Sequence, residues 1–241
     1  MGPQYRPLGN QSFGTVAISA ENARFMSRVY GWMTAGLCLT GAVAWNVSGN
    51  QELVREIFGN RLLFWGLIIA QLGAVAALGW AINKISAFVA TLIYFVYAGL
   101  TGLTLSAIFL VYTSSSIAEV FGVTAFSFAG LSAVGFVTKR DLGPVGAFCT
   151  MGLFGLVGFA VLSMFFPSLM GGAGSFVFSI VGIIVFAGLT AYDTQKIKAM
   201  NVPGDEGTDN ARKKAIFGAL TLYLDFINLF LSMLRLMGRR R

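Results

Sequence analysis

Seven long runs of apolar residues, separated by short polar breaks, constrain this chain more than any other feature of its sequence. A helix needs about 20 apolar residues, within a range of roughly 17–25, to cross the hydrocarbon core of a bilayer. The runs have about this length and are continuous, unlike the alternating strands of a membrane β-barrel. The sequence therefore predicts an all-α integral membrane protein, a bundle of seven transmembrane helices. The predicted spans are Val29–Val47, Leu62–Ile82, Ala87–Val111, Ile117–Val137, Val145–Phe166, Phe176–Tyr192 and Ala215–Met237.

The composition excludes a soluble fold of this size. Charged residues make up 11% of the chain, against about 25% in an ordinary soluble domain, so they are too few to cover its surface. The lipid bilayer is therefore the first expected partner. The 17 Lys and Arg residues outnumber the 10 Asp and Glu residues. Most of the basic residues lie in loops and tails, which favours contact with anionic lipid headgroups over binding of nucleic acid.

The sequence has no histidine, and its two cysteines, Cys38 and Cys149, both lie inside apolar runs. The lack of histidine excludes His-based acid–base catalysis and Ser-His-Asp triads. Together with the two isolated cysteines, it argues against a disulfide framework and against a metal cage. We therefore expect a protein that is not an enzyme and that has no cofactor and no firmly bound metal.

The chain divides into three regions. Residues 1–24 are polar and lack the apolar segment of a signal peptide, so we expect a disordered or loosely attached cytosolic arm. Residues 25–238 form the predicted transmembrane domain, and residues 239–241 form a basic tail. If the first six predicted spans cross in turn, eleven Lys and Arg residues lie on the same side of the membrane as the N-terminus. Two lie on the other side. The positive-inside rule then predicts a cytoplasmic N-terminus.

The last apolar run leaves two topologies open. If it crosses the membrane fully, Arg235 and the basic tail lie outside, against the charge pattern of the other loops. If it dips in and returns, the tail stays inside. A helix over Ala215–Met237 would be about 34 Å long, which favours a full crossing and therefore seven spans.

Two aspartates are the most informative ionisable residues, because a charge inside the bilayer costs at least a few kcal/mol. Asp225 lies near the middle of the last run, and Asp193 lies at the cytoplasmic end of the sixth. If these runs are neighbours, the two carboxyl groups share a proton, since two like charges in contact do not both ionise cheaply. Such a pair is a proton-responsive latch or a weak cation site. Two separately hydrogen-bonded polar groups are the alternative, and the sequence does not decide between them.

Three further polar residues are candidates to support this pair. Asn228 lies one turn after Asp225, Glu119 lies at the outer start of the fourth run, and Lys84 lies in the turn after the second. Paired intramembrane aspartates also suggest an intramembrane aspartyl protease, and the Tyr-Asp dipeptide ending at Asp193 resembles half of that signature. The other half, Gly-x-Gly-Asp, is absent at Asp225, which argues against a protease.

Three strings lie in the same order as in a known family. They are ALTLYLDFINLF at 219–230, YDTQ at 192–195 and EVFGVTAF at 119–126. Through these strings the chain resembles the Bax inhibitor-1 family, the transmembrane Bax inhibitor motif proteins, in a bacterial-type form. The resemblance implies a bundle whose last helix is central, wrapped by the other six, and a pH-dependent calcium leak. It implies that Asp193 and Asp225 sense protons, and that a basic residue, for which Lys84 is the nearest counterpart, engages them.

Two functions follow from this reading. The first is a pH-regulated calcium leak channel of a bacterial inner membrane, gated by the buried aspartate pair, with calcium and protons as its ligands. Calcium would bind there weakly and transiently, because two carboxyl groups supply few of the six to eight oxygens that it prefers. The alternative is a non-conducting membrane regulator that binds a membrane-bound protease or another membrane partner through the N-terminal arm.

Overall fold

The structure is a computed structural model that describes residues 9–82 and 84–241. Over these ranges the chain is helical, which confirms the predicted all-α class. The nine α-helices in the described ranges are α1 Gly9–Ser48, α2 Gln51–Gly59, α3 Arg61–Ala81, α4 Ala87–Leu105, α5 Ile108–Val111, α6 Ser114–Val137, α7 Gly143–Phe165, α8 Ala173–Ala199 and α9 Asp209–Met237, and a 3-10 turn, Pro167–Met170, precedes α8.

Short polar side chains in the breaks between the apolar runs start several of these helices. The side chain of Asn60 accepts hydrogen bonds from the first backbone N–H groups of α3. Ser86 caps α4 in the same way, and Thr208 caps α9 through a 3.1 Å bond from the N–H of Ala211. Such a cap is worth about 1 kcal/mol, so the polar breaks fix where the helices begin.

Six helical segments in the described ranges are long and apolar enough to cross a membrane. They correspond to the second to seventh predicted spans, with ends that differ by several residues. The six segments are Arg61–Ala81, Ala87–Val111, Ser114–Val137, Gly143–Phe165, Ala173–Ala199 and Asp209–Met237.

The first predicted span is not among these six segments, and the predicted N-terminal arm requires correction. Val29–Val47 is helical, but the helix that contains it, α1, does not meet the same criterion of length and apolarity. The expected loose arm is instead helical from residue 9 onward, as the first turns of α1. Residues 1–8 of that arm lie outside the described part of the chain.

Two short helices were not predicted. The first expected loop contains α2, which begins at the cap Asn50. The expected continuous span Ala87–Val111 is divided into α4 and α5 at Ser106, whose hydroxyl donates to the Leu103 carbonyl at 2.7 Å. A serine that bonds to its own backbone competes with the regular helical pattern, which accounts for a break inside an apolar run.

Hydrogen bonds between distant segments define the two ends of the bundle. At one end, here called the N-terminal end, the Asn201 side chain donates to Asn22 of α1 at 2.9 Å, and the Ala87 N–H donates to Asp209 at 3.0 Å. At the opposite end, the Thr113 N–H donates to the Arg239 carbonyl at 3.1 Å. Because α9 runs without a break from the first end to the second, it does not dip in and return.

Helix α9 is the most enclosed of the six segments. It packs against α1, α4, α6 and α8, whereas α3 packs mainly on α4 and α7 mainly on α8. Within the most apolar window of each segment, 67% of residues are buried in α9 but 6% in α3. The packing is therefore layered, with α3 and α7 outside the helices that contact α9.

The outer surface of the bundle is apolar. Trp80 is 88% exposed, Phe126 84% and Leu62 82%, and many other large apolar side chains also point outward. Soluble monomers rarely expose apolar surface of this extent. The surface therefore fits a lipid environment.

The close approach of α6 and α8 predicts different effects for two glycines of α6. A Cβ added at Gly135 would collide with the Ala191 carbonyl of α8, whereas Gly130 has open space. We expect Gly135→Ala to cost about 1–3 kcal/mol through overpacking. Gly130→Ala is the matched control, and we expect unchanged or slightly higher stability because alanine favours helix. Melting temperatures in detergent test this, and equal values for the two variants would contradict the close contact.

Candidate functional site

Two glycines let α8 and α9 pack closely and set their register. A Cβ at Gly182 of α8 would lie 2.5 Å from the Ser232 hydroxyl of α9, and one at Gly218 of α9 would lie 2.7 Å from Ile197 of α8. At each contact one helix has a glycine and the other packs a side chain against it, so their backbones approach each other. Position 193 on α8 and position 225 on α9 lie between these two contacts, and both line one cavity at this interface.

The aspartate of α9 is buried in this interface. Asp225 is 4% exposed. Its Oδ2 atom has no hydrogen-bond partner among the residues that the structure describes. A buried polar atom without a partner costs about 1–3 kcal/mol, and more if it is charged. The carboxyl group of Asp225 therefore destabilises the fold unless a proton or a cation binds to it.

The aspartate of α8 provides the other carboxyl group. Asp193 is partly buried, and it contacts the same cavity as Asp225. Ionised carboxylates only accept hydrogen bonds, so the two groups bond to each other only when one of them holds a proton. The structure thus brings together the two residues that the sequence paired.

The two carboxyl groups line a shared cavity of about 350 Å³. Thr150, Thr221 and Asn228 add oxygen atoms to its wall, although both hydroxyls donate to their own helix backbones, at 2.7 Å and 3.1 Å. The remaining lining is largely apolar. The other lining residues are Leu153, Phe186, Leu189, Tyr192, Lys196 and Leu224.

Lys196 is the basic residue beside the pair, and sequence analysis missed it. It lies one turn after Asp193 on α8 and lines the same cavity, with its ammonium nitrogen 5.7 Å from the centre of the Tyr192 ring. The i, i+3 spacing of Asp193 and Lys196 places them on one helix face. That spacing was visible in the sequence, but which face of α8 meets α9 was not.

The other expected supporting residues have different positions. Asn228 does line the cavity, and its side-chain amide donates to the Leu224 carbonyl at 2.8 Å. Lys84 is exposed in the turn after α3 and does not line the cavity, so its expected contact with the pair is wrong. Glu119 is exposed in the second turn of α6, toward the opposite end of the bundle, and is also absent from the cavity wall.

A cluster of apolar side chains lies next to the cavity. Leu229, one turn after Asp225 on α9, is fully buried and packs with Leu156 and Val185. Phe186 and Leu189 belong to both the cavity wall and this cluster. The polar cavity therefore meets packed apolar side chains in the direction of the opposite end of the bundle.

The chain is similar to known proteins along nearly its whole length. The family model described as "Inhibitor of apoptosis-promoting Bax1" matches residues 22–241. The chain is 49% identical to the inner membrane protein YbhL of Escherichia coli strain K12. The alignment of 218 residues covers 90% of this chain and 92% of YbhL. It is 42% identical to an uncharacterized protein of Borreliella burgdorferi, with 90% and 93% covered. It is 40% identical to an uncharacterized protein of Deinococcus radiodurans, with 90% of each covered.

The cavity predicts that a third carboxyl group is harmful. Asn228→Asp would place it beside Asp193 and Asp225, and we expect a loss of about 1–3 kcal/mol at pH 8. The loss should be smaller at pH 5, where protonation neutralises the group and removes the repulsion. Asn46→Asp, at an exposed position near the end of α1, is the matched control. A pH-independent change in melting temperature for Asn228→Asp would contradict the proximity of the three groups.

Proposed function

Since the chain belongs to the Bax inhibitor-1 family, we propose that it is a calcium leak channel of the bacterial inner membrane, regulated by pH. The observation that carries this proposal is the buried, unpartnered Oδ2 of Asp225, on a carboxyl group that lines the same cavity as Asp193. A proton or a cation satisfies both carboxyl groups, and the two ligands compete for the same oxygens. This competition couples cation passage to pH.

The proposed channel crosses the membrane seven times. The part of α1 from Asn22 to Ser48 is about 40 Å long and starts at the N-terminal end of the bundle, where Asn22 contacts Asn201. This length supports α1 as the seventh span, despite its lower apolarity. The enclosure of α9 by α1, α4, α6 and α8 supports a central last helix. The positive-inside rule supports a cytoplasmic N-terminus.

The proposed gate is the contact between the two carboxyl groups together with the apolar cluster beside it. With one proton shared, Asp193 and Asp225 hold α8 against α9, and Leu229 stays packed with its neighbours. When both groups ionise, they repel each other, which separates the helices and gives a cation two carboxylates to bind. Weak binding suits a permeant ion, because the ion must also leave. Flux should therefore rise with pH.

The test is calcium influx into liposomes that contain the purified protein, compared at about pH 6 and pH 8. We expect higher flux at pH 8 in the unaltered protein and no pH dependence in Asp225→Asn or Asp193→Asn, which lack one titrating group. Glu119→Gln is the matched control, because it removes an exposed carboxyl outside the cavity, and it should keep the full pH response. The proposal fails if both aspartate variants retain the pH dependence of the unaltered protein.

The position of Lys196 makes a separate prediction. Its positive charge favours ionisation of the neighbouring Asp193. In Lys196→Gln the two aspartates should therefore keep their shared proton up to a higher pH. We expect the midpoint of the flux–pH curve to move upward by about half a unit to one unit. Lys84→Gln is the control, since Lys84 is exposed and outside the cavity, and its midpoint should not move. If the midpoint of the flux–pH curve moved in Lys84→Gln and not in Lys196→Gln, Lys84 rather than Lys196 would be the lysine that acts on the pair.

A non-conducting regulator of a membrane protease or another membrane partner is the second candidate. The observation that favours it is the length of α1. This helix begins at Gly9 and so extends by more than three turns before Asn22, which contacts Asn201 in the α8–α9 connection. This extension is available to a partner in the cytoplasm under the proposed topology. Absence of flux at every pH from folded protein would favour this role. Removal of residues 2–20 should then abolish regulation without changing the melting temperature.

A further inference from the structure

A long apolar groove runs between α1 and α6, on the side of α9 that carries Phe226. Its volume is about 1070 Å³, and it opens sideways onto the outer surface of the bundle. The lining residues on α1 extend from Ala23 to Ala42. Over this range α1 rises by about 28 Å, which is close to the roughly 30 Å thickness of a bilayer core. The groove therefore faces the hydrocarbon of the membrane along most of its depth.

The groove exists because α1 and α6 are held apart. In the described part of the chain, both helices pack against α9 but barely touch each other. Phe226 of α9 forms the floor, and its ring makes edge-to-face contacts with Phe121 and Phe128 of α6, at 5.3 Å and 5.4 Å. Small side chains such as Ala42 and Ala129 leave the space above this floor open.

The lining of the groove indicates the chemistry of its occupant. Apart from a few hydroxyl groups and one thiol, the side chains that line it are apolar. Such a wall suits extended acyl chains, which make apolar contacts along their whole length.

One end of the groove carries positive charge. Phe136 lines the groove, and the ammonium group of Lys198 lies 4.7 Å from its ring and donates to its carbonyl at 2.8 Å. Lys139 is exposed three residues further along the chain. On the α1 side, Glu206 is already paired with Arg24 and Arg28, so this acid does not neutralise the two lysines.

We propose that this groove is a binding site for one anionic diacyl phospholipid. The acyl chains lie along the groove on Phe226, and the phosphate group lies at the N-terminal end beside Lys198 and Lys139. A lysine near the membrane surface attracts an anionic lipid with a modest free energy, and the apolar walls supply contact with the chains. The site is independent of the proposed channel, because it uses neither Asp193 nor Asp225.

The test is native mass spectrometry of the purified protein in detergent with added phosphatidylglycerol or phosphatidylcholine. We expect one retained phosphatidylglycerol and weaker retention of phosphatidylcholine. Ala129→Phe fills the groove and should reduce binding of both lipids at least tenfold. Val134→Phe is the matched control, because Val134 is an exposed α6 residue outside the groove, and it should bind as the unaltered protein does.

The charge requirement is tested separately. Lys198→Gln should weaken phosphatidylglycerol binding about fivefold and leave phosphatidylcholine unchanged. Arg55→Gln is the control, since Arg55 is an exposed basic residue on α2, outside the groove. Equal lipid retention in Ala129→Phe and Val134→Phe would overturn the site. Equal retention of the two lipids would overturn the assignment of an anionic lipid as the occupant. The same holds if Ala129→Phe loses a protein dimer instead of a bound lipid.

Discussion

The close packing of α8 against α9 is the contact on which the candidate site depends. It requires small residues at two positions, Gly182 on α8 and Gly218 on α9, because a Cβ at either would meet the opposite helix. Helices in lipid gain no hydrophobic free energy from association, so close backbone approach and polar contacts replace it. This packing turns Asp193 and Asp225, 32 positions apart in the sequence, into one chemical unit.

Much of the fold could be predicted from the sequence because the membrane restricts the choice so strongly. Without water in the bilayer core, backbone groups must be satisfied within helices, so apolar runs bounded by polar breaks mark the helices. The same logic failed for α1, where the polar start was interpreted as a loose arm. Helix formation at 9–24 is supported by tertiary contacts such as Asn22 with Asn201, and contacts between distant residues are not visible in composition.

The site was predictable in its acidic part and not in its basic part. Asp225 stands out in any apolar helix, and Asp193 is the nearest acid on the preceding helix. Both lysines are exposed, but Lys84, the partner expected from family resemblance, lies outside the cavity, whereas Lys196 lines it. Its position follows from the α-helical period and from which face of α8 meets α9. That face is set by Gly182, whose role was apparent only once the packing was known.

A buried carboxyl pair is costly for stability, and this cost argues for a functional role. A buried polar atom without a partner costs about 1–3 kcal/mol, so packing alone does not require Asp225 at 4% exposure. The adjacent side chains Leu224 and Phe226 show that apolar residues fit the same stretch of α9. Under the proposed function a proton or a cation offsets this cost. Its gain or loss then changes the strength of the α8–α9 contact that Gly182 and Gly218 make possible.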